Sequence, residues 1–105
     1  MCYSKYVLLI RKLIWDAWNI NHIARHHIVP DEVETVCNGS PVVLRGQQKN
    51  RLVLIGKTEE KRILTVVLEA RGNGKYYPIT AYDTDSHDTL LYRKLRGGDN
   101  DETNN

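Results

Sequence analysis

The sequence predicts an α+β fold: an antiparallel sheet of about four strands packed with helices, in the chain order βααββββα. Three observations carry that prediction. Two helix-start signals, Asp16 and Pro30-Asp31-Glu32, fall in the first third of the chain. Three short β-rich runs follow, separated by the polar segments Gly46-Gln47-Gln48-Lys49-Asn50 and Lys57-Thr58-Glu59-Glu60-Lys61, short enough for antiparallel hairpins. Arg71-Gly72-Asn73-Gly74 then turns the chain into a fourth run, and a closing helical segment stops at Gly97-Gly98.

Taken in order, residues 6–14 mix aliphatic side chains with Arg11 and Lys12 and read as a strand or extended lead-in. Asp16 is an N-cap for a helix running to about His27. At 100° per residue, Ala17, Ile20, Ile23 and Ala24 fall on one side of it and are expected to face the core. Trp18, His22, Arg25 and His26 fall on the other. A second helix opens at Pro30 and stops near Asn38-Gly39. Strands are expected at 42–45, 51–56, 62–69 and 75–82, and a last helix from about residue 84 or 85 to 96. The run 62–69 is apolar on both alternating faces, so it wants cover on both sides and belongs in the middle of the sheet. On the last strand, strict alternation puts Tyr77, Ile79 and Ala81 on one face and Tyr76, Thr80 and Tyr82 on the other. The second face is the place to look for a site.

Composition sets the outer bounds. A chain of 105 residues, 41% apolar and 27% charged, supports one core and one domain, expected over residues 1–97. Residues 98–105 hold three acids and no base and read as a solvated, disordered tail. Without those three charges the formal +2 becomes +5, a moderately basic body that suits a polyanionic partner. No apolar run approaches the ~18 residues of a membrane span, and the cytoplasm is the expected compartment. Cys2 and Cys37 are too few and too far apart for a disulfide framework and read as free thiols.

The chemistry-bearing residues each have two readings. His22 and His26 stand at the i, i+4 spacing that lets two imidazoles share a metal, but no third ligand is evident, and no metal or cofactor is expected. Acid/base work suits histidine, which titrates near neutrality, and a satisfied structural histidine competes with it. Arg51, Arg62 and Arg71 sit at strand ends or turns. They are either solvated charges or, if they converge, a cradle for phosphate. Tyr76, Tyr82 and Tyr92 can stack on unpaired bases; Tyr77 reads better as an ordinary strand residue.

The order of these motifs resembles the BrnT family of bacterial toxins, small ribonucleases with a RelE-like fold. The resemblance rests on Trp15-Asp16, on His22 with Arg25-His26, on Arg51, Gly56 and Arg71, and on Ile79-Thr80-Ala81, Asp83 and Tyr92. It covers roughly residues 14–92. The departures are His27 where Gly is usual, Tyr82 where Arg is usual, Asp88 for a longer acid, and Thr89 and Leu90 in place of two basic residues. The resemblance implies metal-independent cleavage of RNA and inhibition by a cognate antitoxin. It casts His26, Arg51, Arg71 and Tyr82 as catalytic, and His22, Arg25, Tyr76 and Tyr92 as substrate-binding. The substituted cations leave open a second reading, the same fold with weakened or lost catalysis serving as a binding module for RNA or protein.

Overall fold

The computed structural model describes residues 10–46 and 48–95. Its elements run β1 (Lys12–Leu13), α1 (Ala17–Ala24), α2 (Pro30–Asn38), β2 (Val42–Arg45), β3 (Arg51–Lys57), β4 (Ile63–Gly72), β5 (Lys75–Asp83) and α3 (Ser86–Leu95). The order is the βααββββα expected. Residues 6–9 of the expected first strand, and the acidic tail, lie outside the described residues.

The five strands form one sheet in the order β1-β5-β4-β3-β2. Strands β2 to β5 are antiparallel hairpin neighbours, whereas β1 joins the free edge of β5 in parallel, so the sheet is mixed and not wholly antiparallel. β4 is the middle strand, as its apolar faces required. Leu64, Val66 and Leu68 meet Ile23 of α1, Val33, Val36 and Cys37 of α2, and Ile28 between the helices. On the opposite face, Ile63 packs with the second cluster, Val42, Ile55 and Tyr92, beneath α3. Gly56 lets β3 pass close to α2: a Cβ there would lie 3.0 Å from Val36 Cγ1.

Residue chemistry starts and stops these elements where the chain turns. Asp16 accepts from the Asn19 amide at 2.9 Å, and the Asn19 side chain accepts in return from the Asp16 amide at 2.9 Å. This reciprocal cap starts α1. The Asn19 Nδ2 donates to the carbonyls of Ile14 and Pro78, so one fully buried amide ties β1, α1 and β5 together. The expected apolar stripe of α1 is therefore corrected. Of Ala17, Ile20, Ile23 and Ala24, only Ile23 is buried, and Asn19 takes the place one turn before it. The helix lies along the β5 edge and buries only this narrow stripe.

α1 also ends earlier than expected, at Ala24, in a turn whose Ile28 amide reaches back to the Ile23 carbonyl at 3.3 Å. That turn places His27 at φ 61, a conformation that glycine adopts without steric cost. The two-residue turn between β4 and β5 uses Asn73 and Gly74, both at positive φ, the pattern of a type I′ hairpin.

The faces of β5 do not alternate as a plain strand would. Val67 pairs with Thr80 and Leu68 with Pro78, so Ile79 is an extra residue in a bulge. Residues paired across an antiparallel ladder share a face. Tyr77, opposite Glu69, therefore lies on the same face as Thr80 and Tyr82, and Tyr76, opposite Ala70, turns to the face of Ala81 and packs on the first core. The expected pairing of Tyr76 with Thr80 and Tyr82 is corrected by this one inserted residue.

Two stability outcomes follow. Asn19→Ala keeps the Asp16 cap on the residue 19 amide but removes the returning bond to the Asp16 amide and leaves the carbonyls of Ile14 and Pro78 short of a donor, which should cost about 2–4 kcal/mol in urea unfolding; a loss below about 1 kcal/mol would show that water replaces the amide. His27→Gly relieves a left-handed position with an exposed side chain and should raise stability by about 0.5–1 kcal/mol. A lowered melting midpoint would show that the imidazole contributes more than its backbone costs.

Candidate functional site

α3 covers only the part of its sheet face around Val42, Ile55 and Ile63. The rest of that face carries Val53, Val67, Glu69, Tyr77, Thr80 and Tyr82, all half-buried or exposed. Two side-chain groups occupy this open strip.

The first group runs from α1 to the end of β5. Trp18, 57% exposed, stacks on His22 with ring centroids 4.8 Å apart and planes 9° from parallel. His22 meets His26 edge-on at 6.4 Å, and His26 lies 6.2 Å from the Tyr82 ring. The helical i, i+4 spacing makes the ladder Trp18-His22-His26, and the β5 bulge leaves Tyr82 on the face that completes it. Arg25, the residue before His26, is exposed. A histidine beside a phenol in solvent reach can take up and deliver protons. Among the described residues there is no group of three or more His, Cys, Asp or Glu able to hold a metal ion.

The second group gathers around Glu69. Arg71 Nε donates to Glu69 at 2.8 Å, and Arg51 approaches the other oxygen at 3.7 Å. The Arg71 guanidinium sits 4.5 Å over the Tyr77 ring, a cation–π contact. The Tyr77 hydroxyl donates to the Asp16 carboxylate, at 3.0 Å to the nearer oxygen. Desolvation first, and the bond to Asp16 second, push the Tyr77 hydroxyl above its ordinary pKa of 10.0. Tyr77 thus stays a proton-bearing donor that links this group to the start of α1.

The two groups are separate. Tyr82 faces Thr65 and Tyr77 faces Glu69, four residues apart on β4, or about 13 Å along a strand. Of the residues singled out in the sequence, the structure brings His22, His26 and Tyr82 together, and Arg51 with Arg71. It does not bring all of them to one point. Tyr76 lies on the other side of the sheet, lining a cleft with Arg45, Lys49 and Arg51. Tyr92 is 4% exposed in the second core, where it holds α3 to the sheet, so its place among substrate-binding residues is corrected. Tyr77 and Glu69 escaped the sequence reading. A Tyr two residues before Ile79 looks core-facing until the bulge is known, and no sequence pattern marks the bulge apart from Pro78 itself.

Arg62 does not join the cradle. It donates to Asp83 at 2.7 and 3.1 Å and to the carbonyls of His26 and His27 at 3.0 and 2.9 Å, with Glu32 at 3.4 Å. It fixes the turn after α1 against β5, and so holds His26 beside Tyr82. The bond from Arg62, reinforced by its charge, holds the Asp83 carboxyl below its ordinary 3.8. Cys37 is buried, and burial followed by the charge of Glu34 pushes its thiol up to about 12. It is protonated at neutral pH and unsuited to nucleophilic work. Trp15 donates to Glu34 at 2.9 Å, which anchors the start of α1 to α2.

Among solved structures, the chain is similar to the ribonuclease toxin BrnT of Brucella abortus, with a TM-score of 0.59 and 24% identity. The match covers 71% of this chain and 97% of that one. The fold is BrnT-like. No protein-family model and no curated protein matches the chain. The structural match bears out the fold that the order from Trp15-Asp16 to Tyr92 implied. The BrnT-like scaffold also gives physical content to one departure from the family pattern. His27, where the family favours Gly, stands at positive φ.

A pH outcome follows from the Arg62 tie. Because the folded Asp83 pKa lies below 3.8, the tie's contribution is present above that pH and lost as pH falls through the folded value. The Asp83 side chain is 62% exposed, so that contribution is under about 1 kcal/mol. Asp83→Asn should therefore unfold slightly before the unsubstituted protein at pH 7, with the gap closing as pH falls below 3.8 and through the lowered folded value. A gap that persists unchanged in acid would assign it to packing and not to charge.

Proposed function

We propose that this chain is a metal-independent endoribonuclease of the toxin type, held in check by a cognate antitoxin. The observation that carries the reading is the His26–Tyr82 pair on an open sheet face of a BrnT-like fold, with Arg51 and Arg71 farther along the same strip.

In such a reaction the ribose 2′-hydroxyl attacks the adjacent phosphorus. The O2′–P bond forms and the P–O5′ bond breaks, leaving a 2′,3′-cyclic phosphate and a 5′-hydroxyl end. The protein needs no covalent nucleophile. It must take one proton from the 2′-hydroxyl, place one on the departing O5′, and steady the extra negative charge. His26 is the base, because an imidazole accepts a proton far more readily than a phenol does. Tyr82, within 6.2 Å ring to ring, is the proton donor. Arg25 lies beside His26 for the scissile phosphate, and His22 and Trp18 offer rings for an unpaired base. Arg51 and Arg71, about 13 Å along the strand, hold a neighbouring phosphate.

A second reading keeps the fold and drops the chemistry. It is favoured by the substitutions on the scaffold: Tyr82 in place of an arginine, and exposed Leu90 on α3 in place of a basic residue, 66% exposed. The protein would then bind RNA or a protein partner without cutting.

The deciding experiment is cleavage of a mixed-sequence RNA with and without EDTA, by the purified protein and by His26→Ala and Tyr82→Phe. The expected outcome is cleavage that survives EDTA and falls by about 10²-fold or more in each variant. Undiminished cleavage in both variants would remove the site from this strip. A folded protein that binds RNA and never cuts it, alone or on ribosomes, would establish the binding module.

A further inference from the structure

The charges of the sheet are sorted along the strand direction. Strand register puts Lys12 beside Lys75 at one end, next to Arg71 of β4 and Arg51 of β3. Arg45 closes β2 at the same end, and Lys49 lies in the adjoining loop. Among the strand residues described at that end, Glu69 is the acid that answers them. The opposite end carries Asp31, Glu32, Glu59, Glu60 and Asp83, interleaved with Lys57, Lys61 and Arg62. A polyanion meets one attractive end and one that is balanced or repulsive.

The basic end is also concave. Arg45, Lys49 and Arg51 line a cleft floored by Leu52 and Ala70 and walled by the half-buried ring of Tyr76. The described ends of the adjoining loop are bonded to the strands: the Ala70 amide donates to the Asn50 carbonyl at 2.8 Å, and the Gly46 amide to the Arg51 carbonyl at 2.9 Å. Gly46 permits that closeness, since a Cβ there would fall 2.7 Å from Arg51 Cβ. Arg51 Nε is buried with no hydrogen-bond partner, its nearest acid oxygen 3.7 Å away.

We propose that this cleft is a second RNA subsite, which receives the backbone of a single strand whose scissile phosphate lies at His26 and Tyr82. Arg45, Lys49 and Arg51 take its phosphates, and Tyr76 offers a ring edge or face to an unpaired base. A single strand fits better than a duplex, because the aromatic wall has no use for bases already stacked and paired. Arg51 lines the cleft and also faces Glu69 on the open strip, so it joins the two surfaces. The choice of RNA as the polyanion rests on the ribonuclease reading; the existence of an anion subsite rests on the cleft.

The test is binding of a fluorescein-labelled 12-nucleotide mixed-sequence RNA by anisotropy, across a salt series. Each phosphate contact to a single strand contributes about 0.7 to the slope of log K against log salt. Arg45→Ala with Lys49→Ala should flatten the slope by about 1.4. The control, Lys57→Gln with Lys61→Asn, removes the same charge from the opposite end and should leave the slope unchanged; circular dichroism confirms that both variants fold. Equal flattening in the two variants, or none in the first, would overturn the subsite while leaving the ribonuclease reading to its own cleavage test. A flattened slope in a protein that never cuts RNA would support the subsite and sink the ribonuclease reading. Failure to bind the RNA while an acidic peptide binds would overturn both RNA assignments in favour of a protein partner.

Discussion

The candidate site depends on one buried amide. Asn19 holds three backbones at once: its Oδ1 accepts from the Asp16 amide, and its Nδ2 donates to the carbonyls of Ile14 and Pro78. Asp16 is the start of α1, Ile14 follows β1, and Pro78 borders the extra residue of β5. A buried polar group of this kind costs stability unless every bond is made, and once made it admits few alternatives. It therefore sets the height of α1 along the β5 edge. The side chains one and two turns on, His22 and His26, inherit their position from it, and Ile23 anchors the same register in the core.

The bulge at Ile79 is the partner of that amide. A one-residue insertion reverses which side chains of a strand face the core. Here it turns Tyr76 inward and delivers Tyr77 to the open face, where its hydroxyl reaches Asp16. The result is a closed circuit: Asp16 caps the helix through Asn19, Asn19 holds the bulge, and the bulge returns Tyr77 to Asp16. Helix position and strand phase are thereby coupled. Arg62 makes a corresponding tie at the other end of α1, from Asp83 to the His26 and His27 carbonyls.

These ties explain what could be read in the sequence and what could not. Helix starts at Asp16 and Pro30, and the strand beginning at Val42, carry local signals: a capping side chain, a fixed proline φ, a polar turn on either side. They were legible. The role of Asn19 was not, because an asparagine inside a helical pattern looks like a surface residue until a carbonyl 59 positions away needs a donor. The face of Tyr77 was hidden for the same reason: alternation counts residues, and the bulge adds one. Arg51, Arg62 and Arg71 look equivalent as a list, yet pairing separates them. Arg62 is consumed by acids and carbonyls, while Arg51 and Arg71 share Glu69. The stripe Trp18-His22-His26 was visible because helical spacing is a local rule, and its extension to Tyr82 needed the fold.

Position 82 shows how fold and chemistry part company. An arginine there, as in the pattern this chain otherwise resembles, would bring a permanent positive charge next to His26 and stabilise a phosphorane directly. Tyrosine keeps a ring in contact with the imidazole and a hydroxyl for proton transfer, but supplies no charge. In the proposed reaction, the burden of neutralising the transition state then falls on Arg25 beside His26 and on Arg51 and Arg71 farther along the strip. Charges at that greater distance act more weakly on the reacting phosphate, because attraction falls with separation and solvent screens what remains. They act fully on the flanking phosphates they touch. Under the proposed reaction, the arrangement favours holding an RNA strand over speeding its cleavage.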